Sequence, residues 1–326
     1  MTSRCCIEDK GDVMQSTTII EIDKLLMLAV LLLFPSLAVA DVHVRCDQAG
    51  SLQRAIDVSR PGSTIVVTGA CNENVTIPAD KARVTIDGGG TATINGVDSD
   101  LPVVSIQGKD ITIRGFVITG GDDGIEVARG GTATIDGNVV FNTANFGISL
   151  VHDASATIVN NMVHDNANAG IAISSNSSAW IGFVSFRDAA PSPNLITNNG
   201  RQLGGNGIVA RRGSNAVIAG NTISSNTGNG IRITESSYAR VLGNTVDANH
   251  QNGILVEQGS GLVASSPPPP GQPDTWFTAP NSTTTNNLGF GVRCQIGGYT
   301  DGRLGTLNGA SGPESYFEGC VDSLNP

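Results

Sequence analysis

The sequence predicts an all-β fold in which short parallel strands wind into a solenoid, a parallel β-helix. Three rows of residues with one shared period support this prediction. Gly-Ile pairs begin at residues 124, 147, 170, 207, 230 and 253; alanines lie at 133, 156, 179, 216 and 239, and asparagines at 138, 161, 221 and 244. The Gly-Ile steps are 23, 23, 37, 23 and 23 residues, so the unit is a 23-residue coil with one long step.

Each repeat has the pattern of strands and not of helices. Apolar and polar residues alternate in short β-branched runs that glycine and asparagine interrupt. About three such runs fit one coil of a solenoid, and stacked coils about 4.8 Å apart place equivalent residues over one another. The isoleucines at 125, 148, 171, 208, 231 and 254 are therefore expected to form an inward ladder, and the asparagines stacked amide ladders. We expect the glycines to supply the positive φ of the bends.

The ends of the chain differ from the repeats. Residues 25–40 read LLMLAVLLLFPSLAVA after Lys24, which predicts a signal peptide, and a mis-assigned upstream start would explain residues 1–22. An uncleaved membrane anchor is the alternative, although the apolar run is shorter than a span. Residues 41–60 are predicted as an N-terminal cap with a short helix that begins at Ser51, 61–295 as the β-helix, and 296–326 as a C-terminal cap.

Four cysteines remain after residue 40, namely Cys46, Cys71, Cys294 and Cys320. An even number in an exported chain favours disulfides, with three connectivities. We favour Cys46–Cys71 and Cys294–Cys320, because each pair lies at one end and the repeats between them contain no cysteine. Metal ligation is the alternative, but no CxxC or histidine-rich spacing supports it.

Two insertions lengthen the period, near residues 180–205 and 263–285. Insertions in solenoids become loops on one face, often the binding face. Each contains one of the two tryptophans, Trp180 and Trp276. These rings either stack on sugars or pack their own loops onto the coil.

Composition excludes several classes of function. The formal charge of −10 and the pI near 4.7 argue against a nucleic-acid partner, which requires clustered basic residues. The sequence contains no P-loop, no dinucleotide-binding glycine motif, no serine-hydrolase elbow and no zincin motif. We expect no membrane span in the mature chain, and a monomer, because a capped β-helix needs no partner for stability.

The Gly-Ile-x-apolar and Gly-Asn-x-apolar repeats over residues 60–295 resemble those of the right-handed parallel β-helix proteins of the pectin-lyase-like superfamily. The superfamily includes pectate lyases, polygalacturonases, uronan epimerases, tailspike glycosidases and non-catalytic members. The resemblance implies that any catalytic groups line the outer face of one sheet, contributed by neighbouring coils.

An acidic corner is one candidate site, formed by Asp98, Asp100, Asp122 and Asp123. Paired carboxylates act as acid and base in glycoside hydrolysis, and carboxylate oxygens also bind Ca²⁺. Gly121-Asp122-Asp123 resembles the Gly-Asp-Asp element of polygalacturonases. The Gly-His-Gly and Arg-Ile-Lys motifs of that family are absent, as are the pectate lyase and Asp-Pro-His-Asp epimerase motifs. An ordinary Asp-Gly turn is the alternative.

Basic residues form the second candidate. Stacking places Arg129 and His152 one coil apart, and His152 could act as a general base. Arg129, Arg211, Arg212 and Arg232 recur near one strand, and arginine grips carboxylates in bidentate fashion. A row of solvated side chains is the alternative for both.

Together these observations predict a secreted, periplasmic or cell-surface protein that binds or processes acidic polysaccharide along the face beside the Gly-Ile strands. If it is an enzyme, we expect a lyase, glycoside hydrolase or uronan epimerase, with Ca²⁺ as the one candidate cofactor. The predicted catalytic groups are Asp122, Asp123, Arg129 and His152, and the predicted substrate contacts are Glu126, Trp180, Arg212, Arg232 and Trp276. The alternative is a non-catalytic surface or periplasmic scaffold.

Overall fold

The computed structural model describes residues 41–201, 204–265, 270–271, 275–276, 278–303, 305–316 and 320–324. The predicted signal peptide at 1–40 lies outside these ranges. The described residues form an all-β parallel solenoid of about 11 turns, which confirms the predicted fold class. They contain no helix with the length and apolar character that a membrane crossing requires.

One sheet, which we call the GI sheet, contains the Gly-Ile repeats. Its ten parallel strands pair in sequence order, coil to coil. They are Val75–Ile77, Val104–Ile106, Ile125–Val127, Ile148–Leu150, Ile171–Ile173, Ile208–Ala210, Ile231–Ile233, Ile254–Val256, Phe290–Cys294 and Gly312–Tyr316.

Two further strand sets complete each coil, and all their pairings are parallel as well. The second set consists of Val42–Arg45, Thr64–Thr68, Thr132–Asp136, Ser155–Val159, Ser178–Ile181, Asn215–Ala219, Tyr238–Leu242, Gly261–Val263, Tyr299–Gly302 and Val321–Leu324. The third consists of Ala70–Asn72, Val139–Phe141, Met162–His164, Leu195–Thr197, Thr222–Ser224, Thr245–Asp247, Asn281–Thr283 and Gly305–Thr306. Two long strands, Thr85–Gly96 and Ile111–Gly120, run through both sets and join them into one 20-stranded sheet.

The core is a stack of aliphatic ladders, as the period predicts. Each Gly-Ile isoleucine pairs with its equivalent in the next coil, and the six of them are fully buried. Burying such a side chain contributes roughly 1.5–3 kcal/mol relative to exposure. Because each coil covers the next, this ladder provides stability that a single coil could not.

Asparagine ladders hold the corners together. In the predicted ladder each side-chain oxygen accepts a hydrogen bond from the backbone N–H of its equivalent in the coil before it, as in Asn138 N to Asn161 Oδ1 at 2.9 Å. Its members are Asn138, Asn161, Asn194, Asn221, Asn244 and Asn281. A second, unpredicted ladder has the same geometry and comprises Asn166, Asn199, Asn226, Asn249 and Asn287.

The prediction that glycines supply positive φ is wrong for the Gly-Ile glycines. None of the six has a positive φ. They are glycines because the coils approach closely: a Cβ on Gly147 would lie 2.5 Å from Val163 Cγ1 and 2.8 Å from the Gly170 carbonyl oxygen. The bend at the far end of each GI strand instead uses non-glycine residues with left-handed φ, among them Arg129 and His152.

The N-terminal cap contains the predicted helix, Leu52–Val58. The Ser51 side chain accepts a hydrogen bond from Arg54 N at its start, and Leu52 and Ile56 are fully buried beneath it. A 3₁₀ turn, Cys46–Gln48, precedes the helix. Both predicted disulfides, Cys46–Cys71 and Cys294–Cys320, are confirmed, and each binds an end segment to a neighbouring coil.

Candidate functional site

The outer side of the GI sheet presents one residue per coil in a straight row, as the sequence predicts. In order, the row reads Ser105, Glu126, Ser149, Ala172, Val209, Arg232 and Leu255. We call this row, together with the residues that flank each strand, the GI face. The acidic group Asp122, Asp123 and Glu126 lies at its N-terminal coils, and Arg211, Arg212 and Arg232 lie at later coils, the last two beside glutamates.

Asp123 is the most strongly perturbed group of the GI face. Its side chain is 5% exposed, and both of its oxygens accept hydrogen bonds, from Phe146 N at 3.0 Å and from Ser149 Oγ at 2.5 Å. Burial raises the pKa of Asp123 to about 6, and the negative charges of Asp122 and Glu126 add to the rise, while the two hydrogen bonds oppose it. The carboxyl is therefore a group that exchanges its proton near neutral pH.

Asp123 also has a structural role, because it occupies a corner that other coils fill with asparagine. Asn206 Oδ1 accepts from Asn229 N at 3.1 Å, and Asn252 Oδ1 from Phe290 N at 2.9 Å. Asp123 Oδ1 makes the same bond to the backbone of the next coil. This geometry agrees with the turn interpretation of the Asp-Gly pair, with a carboxyl in place of an amide.

The other acidic residues are arranged around this buried carboxyl. Burial raises the pKa of Asp122 and the charge of Asp100 adds to the rise, while a hydrogen bond with Asn145 opposes it. Glu126 accepts a hydrogen bond from Ser105 Oγ at 3.2 Å. The GI face thus has two partly exposed carboxylates, Asp122 and Glu126, beside a buried one.

The predicted carboxylate cluster for a metal is not assembled. Asp98 Oδ1 accepts from Asp100 N at 2.9 Å, an ordinary turn contact. Among the described residues, Asp98, Asp100, Asp122 and Asp123 provide no set of three ligand atoms within 4.8 Å of one another. A Ca²⁺ ion at this corner would have to draw the loops together.

Phe146 connects the acidic and basic parts of the GI face. Its backbone N–H binds Asp123, and the Arg211 guanidinium carbon lies 5.3 Å from the centre of its ring. The Arg211 Nε is buried and has no hydrogen-bond partner among the described residues. Burial lowers the pKa of Arg211, as do the positive charges of the neighbouring Arg212 and Arg232. An anion bound here would offset the repulsion between these three arginines.

Two other arginines of this face are paired. Arg232 Nε donates to Glu257 Oε1 at 2.8 Å, and that carboxylate is nearly buried. Arg212 Nε lies 3.4 Å from Glu235 Oε2, with both side chains exposed. Arg211 therefore keeps an unsatisfied donor, and so does Arg293, which follows Leu255 in the outward row and whose Nε is also buried without a hydrogen-bond partner among the described residues.

Arg129, His152 and Arg212 share one structural position, the left-handed turn that ends each GI strand. Their φ angles are 53°, 56° and 56°. Gly130 N donates to the His152 carbonyl at 2.8 Å, which confirms that Arg129 and His152 lie in adjacent coils. The side chains of Arg129 and His152 form no hydrogen bond with each other. The left-handed turn does not require a basic residue at this position.

The two tryptophans have different environments. Trp276 Nε1 donates to the Asp188 carbonyl at 2.7 Å, and its ring centre lies 5.4 Å from that of Phe183, so each insertion packs on the other. Trp180 stacks on Phe183 at 5.2 Å and remains 40% exposed. Both rings lie away from the GI face, because Trp180 is on the second strand set.

Sequence reasoning missed Phe146 as a site residue. It precedes a Gly-Ile pair, as Asp123 does, and that shared position was the available signal. With Ala169, Ala172 and Val209 it forms a small apolar cluster on the GI face, between the carboxylates and the arginines.

Comparison with known proteins supports an exported β-helix. The family described as "Periplasmic copper-binding protein (NosD)" matches residues 55–262. A cell surface glycoprotein of Methanothermus fervidus is 33% identical over 92 residues, which are 28% of this chain and 15% of that protein. The chain therefore spans a small part of this relative's length.

A solved structure shares the fold. An alginate lyase from Paenibacillus sp. str. FPU-7 superposes with a TM-score of 0.53 at 14% identity, over 86% of this chain and 99% of the lyase. The mannuronan C-5 epimerase AlgE6 A-module of Azotobacter vinelandii gives a TM-score of 0.44 at 15% identity, over 87% and 99%. The expected parallel β-helix fold is confirmed.

The copper of the family description does not fit the donor groups found here. Copper sites use imidazole, thiolate and thioether ligands. Among the described residues, the one group of three histidine, cysteine or acidic side chains with close ligand atoms is Cys46, Cys71 and Glu73, and its two sulfurs form a disulfide. Met162 and His164 lie on one side of a strand but are only two donors.

The family match and the relative confirm the predicted location, which is secreted, periplasmic or at the cell surface. The matched segment, residues 55–262, is more than half of the chain and contains most of the GI face. On this basis the chain belongs to the NosD family of periplasmic β-helix proteins.

Proposed function

We propose that the GI face binds an acidic polysaccharide through the carboxylates of its sugar residues, with Arg211 as the central contact. One observation carries the proposal: Arg211 is held over the Phe146 ring with a buried Nε that has no partner among the described residues. The Nε is closed to solvent, so a carboxylate would approach the terminal nitrogens of the partly exposed guanidinium and form a bidentate, charge-assisted bond there. Arg212 and Arg232 raise the positive potential beside it.

The same face has groups suited to processing the bound sugar. Asp123 titrates near pH 6 and lies close enough to Arg211 for their charges to interact. Arg211 would neutralise the uronate carboxylate while a nearby carboxyl, Asp123 or the more accessible Glu126, moves a proton. Lyase, hydrolase and epimerase action on uronic-acid polymers all fit this arrangement, with Asp122 as a further carboxylate.

We propose Arg129 and His152 only as secondary contacts, because they occupy the left-handed turn position, where the residue type differs from coil to coil. They would contact a chain that extends beyond the N-terminal strands of the GI face. His152→Gln tests the role of His152. A loss of turnover would place this residue in the reaction, and unchanged turnover would exclude it.

Binding is tested by calorimetry of residues 41–326 with galacturonate and alginate oligomers, with and without Ca²⁺. Arg211→Gln should weaken binding by roughly 10- to 100-fold, since a charge-assisted hydrogen bond is worth about 1.5–3 kcal/mol. Arg54→Gln, on the exposed side of the capping helix, is the matched control and should bind like the wild type. Equal affinity of wild type and Arg211→Gln would refute the proposal.

Processing is tested by mass spectrometry of the same oligomers after incubation. Unsaturated ends identify a lyase, added water a hydrolase, and deuterium uptake from heavy water without shortening an epimerase. An enzyme should lose turnover in Asp123→Asn while its melting curve remains cooperative.

A non-catalytic scaffold is the second candidate function. The position of Asp123 in an asparagine corner favours it, because that carboxyl already has a structural task. For a scaffold we expect unchanged oligomers, and Asp123→Asn should bind its partner as well as the wild type.

A further inference from the structure

A second concave surface lies on the outer side of the second strand set, apart from the GI face. It is a groove of about 220 Å³ with exposed aromatic rings, Trp180 and Tyr238, at its edges. Ser178, Asn215 and Arg240 contribute polar groups to its lining. Aromatic walls with a few convergent polar groups are the usual composition of a small-molecule site.

Strand register determines the shape of this groove. Trp180 pairs with Val217, and Val217 pairs with Arg240. The tryptophan and the arginine are therefore two coils apart, with Val217 between them. Two coil steps are about 10 Å, since neighbouring strands lie about 4.8 Å apart. That separation accommodates one sugar ring between the indole and the guanidinium.

Trp180 is held in place from behind. Its ring stacks on Phe183, with 15° between the planes, and meets Phe186 at 5.5 Å. Phe183 is fully buried and in turn contacts Trp276 of the other insertion. The insertions therefore pre-organise an exposed indole, which reduces the entropy that binding must overcome.

Charge indicates which sugar fits. Arg240 makes no hydrogen bond or ion pair within the described part of the chain, and no acidic side chain lines the groove. In a chain with a net charge of −10, an unpaired arginine in an aromatic groove is complementary to an anionic substituent. A carboxylate satisfies the planar fork of guanidinium donors.

The surface continues along the helix axis. Thr112, Thr134, Thr157 and Trp180 are in register, one per coil. A second groove, of about 300 Å³, lies over these threonines, and Asp110, whose carboxylate accepts a hydrogen bond from Thr132, lies at its far end from Trp180. The hydroxyls of the threonines in register have no internal partner in the described structure, so they are available to a chain that passes over them.

We propose that Trp180, Tyr238 and Arg240 form a second glycan-binding site, which takes a carboxylate-bearing sugar ring of a chain that runs along the threonine row. The site does not depend on Arg211 or on any activity of the GI face. With both faces occupied, one molecule would hold two polysaccharide strands.

Trp180 itself provides the test. The chain contains two tryptophans, so Trp276→Phe leaves Trp180 as the single indole emitter. Titration of this variant with galacturonate hexamer should give a saturable change in emission, and Arg240→Gln on the same background should raise the dissociation constant at least ~10-fold. Arg114→Gln, an arginine of the same strand set that is paired to Asp87, is the charge control and should have no effect.

Three results would overturn the proposal. These are no saturable change with the hexamer, an equal response to a neutral hexamer, or an equal affinity after Arg240→Gln. Arg211→Gln on the same background should leave the Trp180 signal unchanged, which separates this site from the GI face. If Trp276→Phe does not melt cooperatively, calorimetry of Tyr238→Ala and Arg240→Gln in the otherwise native chain answers the same question.

Discussion

Asp123 and Asn229 occupy the same position in different coils. A side chain at this position can bond the backbone of the next coil, and a carboxyl there can also titrate. Both accept a hydrogen bond from the next coil's N–H through a side-chain oxygen. An amide does this without titrating. A carboxyl that is 5% exposed to solvent destabilises the fold when it is charged, because the charge is buried. The aspartate therefore makes stability depend on pH at a place where asparagine would not.

We predict that Asp123→Asn stabilises the protein at neutral pH. A carboxyl whose pKa is about 6 in the folded state and 3.8 as its ordinary value favours folding when protonated, so its contribution is greatest below pH 3.8 and is lost as pH rises through 6. The loss amounts to at most about 3 kcal/mol, at about 1.4 kcal/mol per pH unit. Urea unfolding of both proteins at pH 4 and pH 7.5 measures it.

The variant and the wild type should be equally stable at pH 4 and differ at pH 7.5. Asp80→Asn, at an exposed turn, is the matched control and should show no such pH-dependent gain. A variant less stable than the wild type at pH 7.5 would contradict this prediction. It would show that the hydrogen bonds of the carboxylate stabilise the fold by more than the burial of its charge destabilises it.

At the scale of the element, the asparagine ladders explain how strands of three residues remain aligned. Asn221 accepts from Asn194 N and donates to the carbonyls of Ile181 and Ala219 at 3.0 Å each. It thereby joins the coil that precedes the first insertion to the coil that follows it. A strand of three residues has too few ladder hydrogen bonds to set its own register.

Asn221→Ala should destabilise the fold by about 3–5 kcal/mol, because it leaves several buried backbone groups without partners at roughly 1–3 kcal/mol each. Thermal and urea unfolding measure the loss. Asn286→Ala, which removes an exposed bond to Asp247, is the control and should cost under about 1 kcal/mol. Similar losses in the two variants would mean that the ladder is not a main source of stability.

For the whole molecule, the described residues form a linear stack in which each coil contacts its neighbours. Stability in such a stack is a sum of coil and interface contributions, so opening begins at the ends. The two disulfides lie at those ends: Cys46 binds the N-terminal segment to Cys71, and Cys320 binds the last strand region to Cys294. The middle coils rely on their ladders alone.

We predict that Cys46→Ser with Cys71→Ser lowers the free energy of unfolding by about 3.5 kcal/mol, the value for a loop of 25 residues. Amide hydrogen exchange should accelerate in Val42–Arg45 and Leu52–Val58 and remain unchanged near Ile171–Ile173. Uniform acceleration along the chain would instead indicate that the protein opens as one cooperative unit.

The period in the sequence allowed much of this architecture to be predicted. A 23-residue repeat specifies which residues stack, and therefore the isoleucine ladder, the outward row through Glu126 and Arg232, and the first asparagine ladder. The cysteine positions relative to the repeats led to the correct pairing. The second asparagine ladder was missed because the first insertion changes its spacing to 33 and 27 residues and the second changes it to 38.

By itself the sequence determined the coil, its register and its caps, since these depend on spacing along the chain. The tertiary structure decided the rest, because it depends on contacts across coils that spacing does not describe. The Gly-Ile glycines are required by a neighbouring carbonyl, and Asp123 is perturbed by its burial against Phe146 and Ser149. Arg211 packs on the Phe146 ring with a buried Nε that has no hydrogen-bond partner among the described residues.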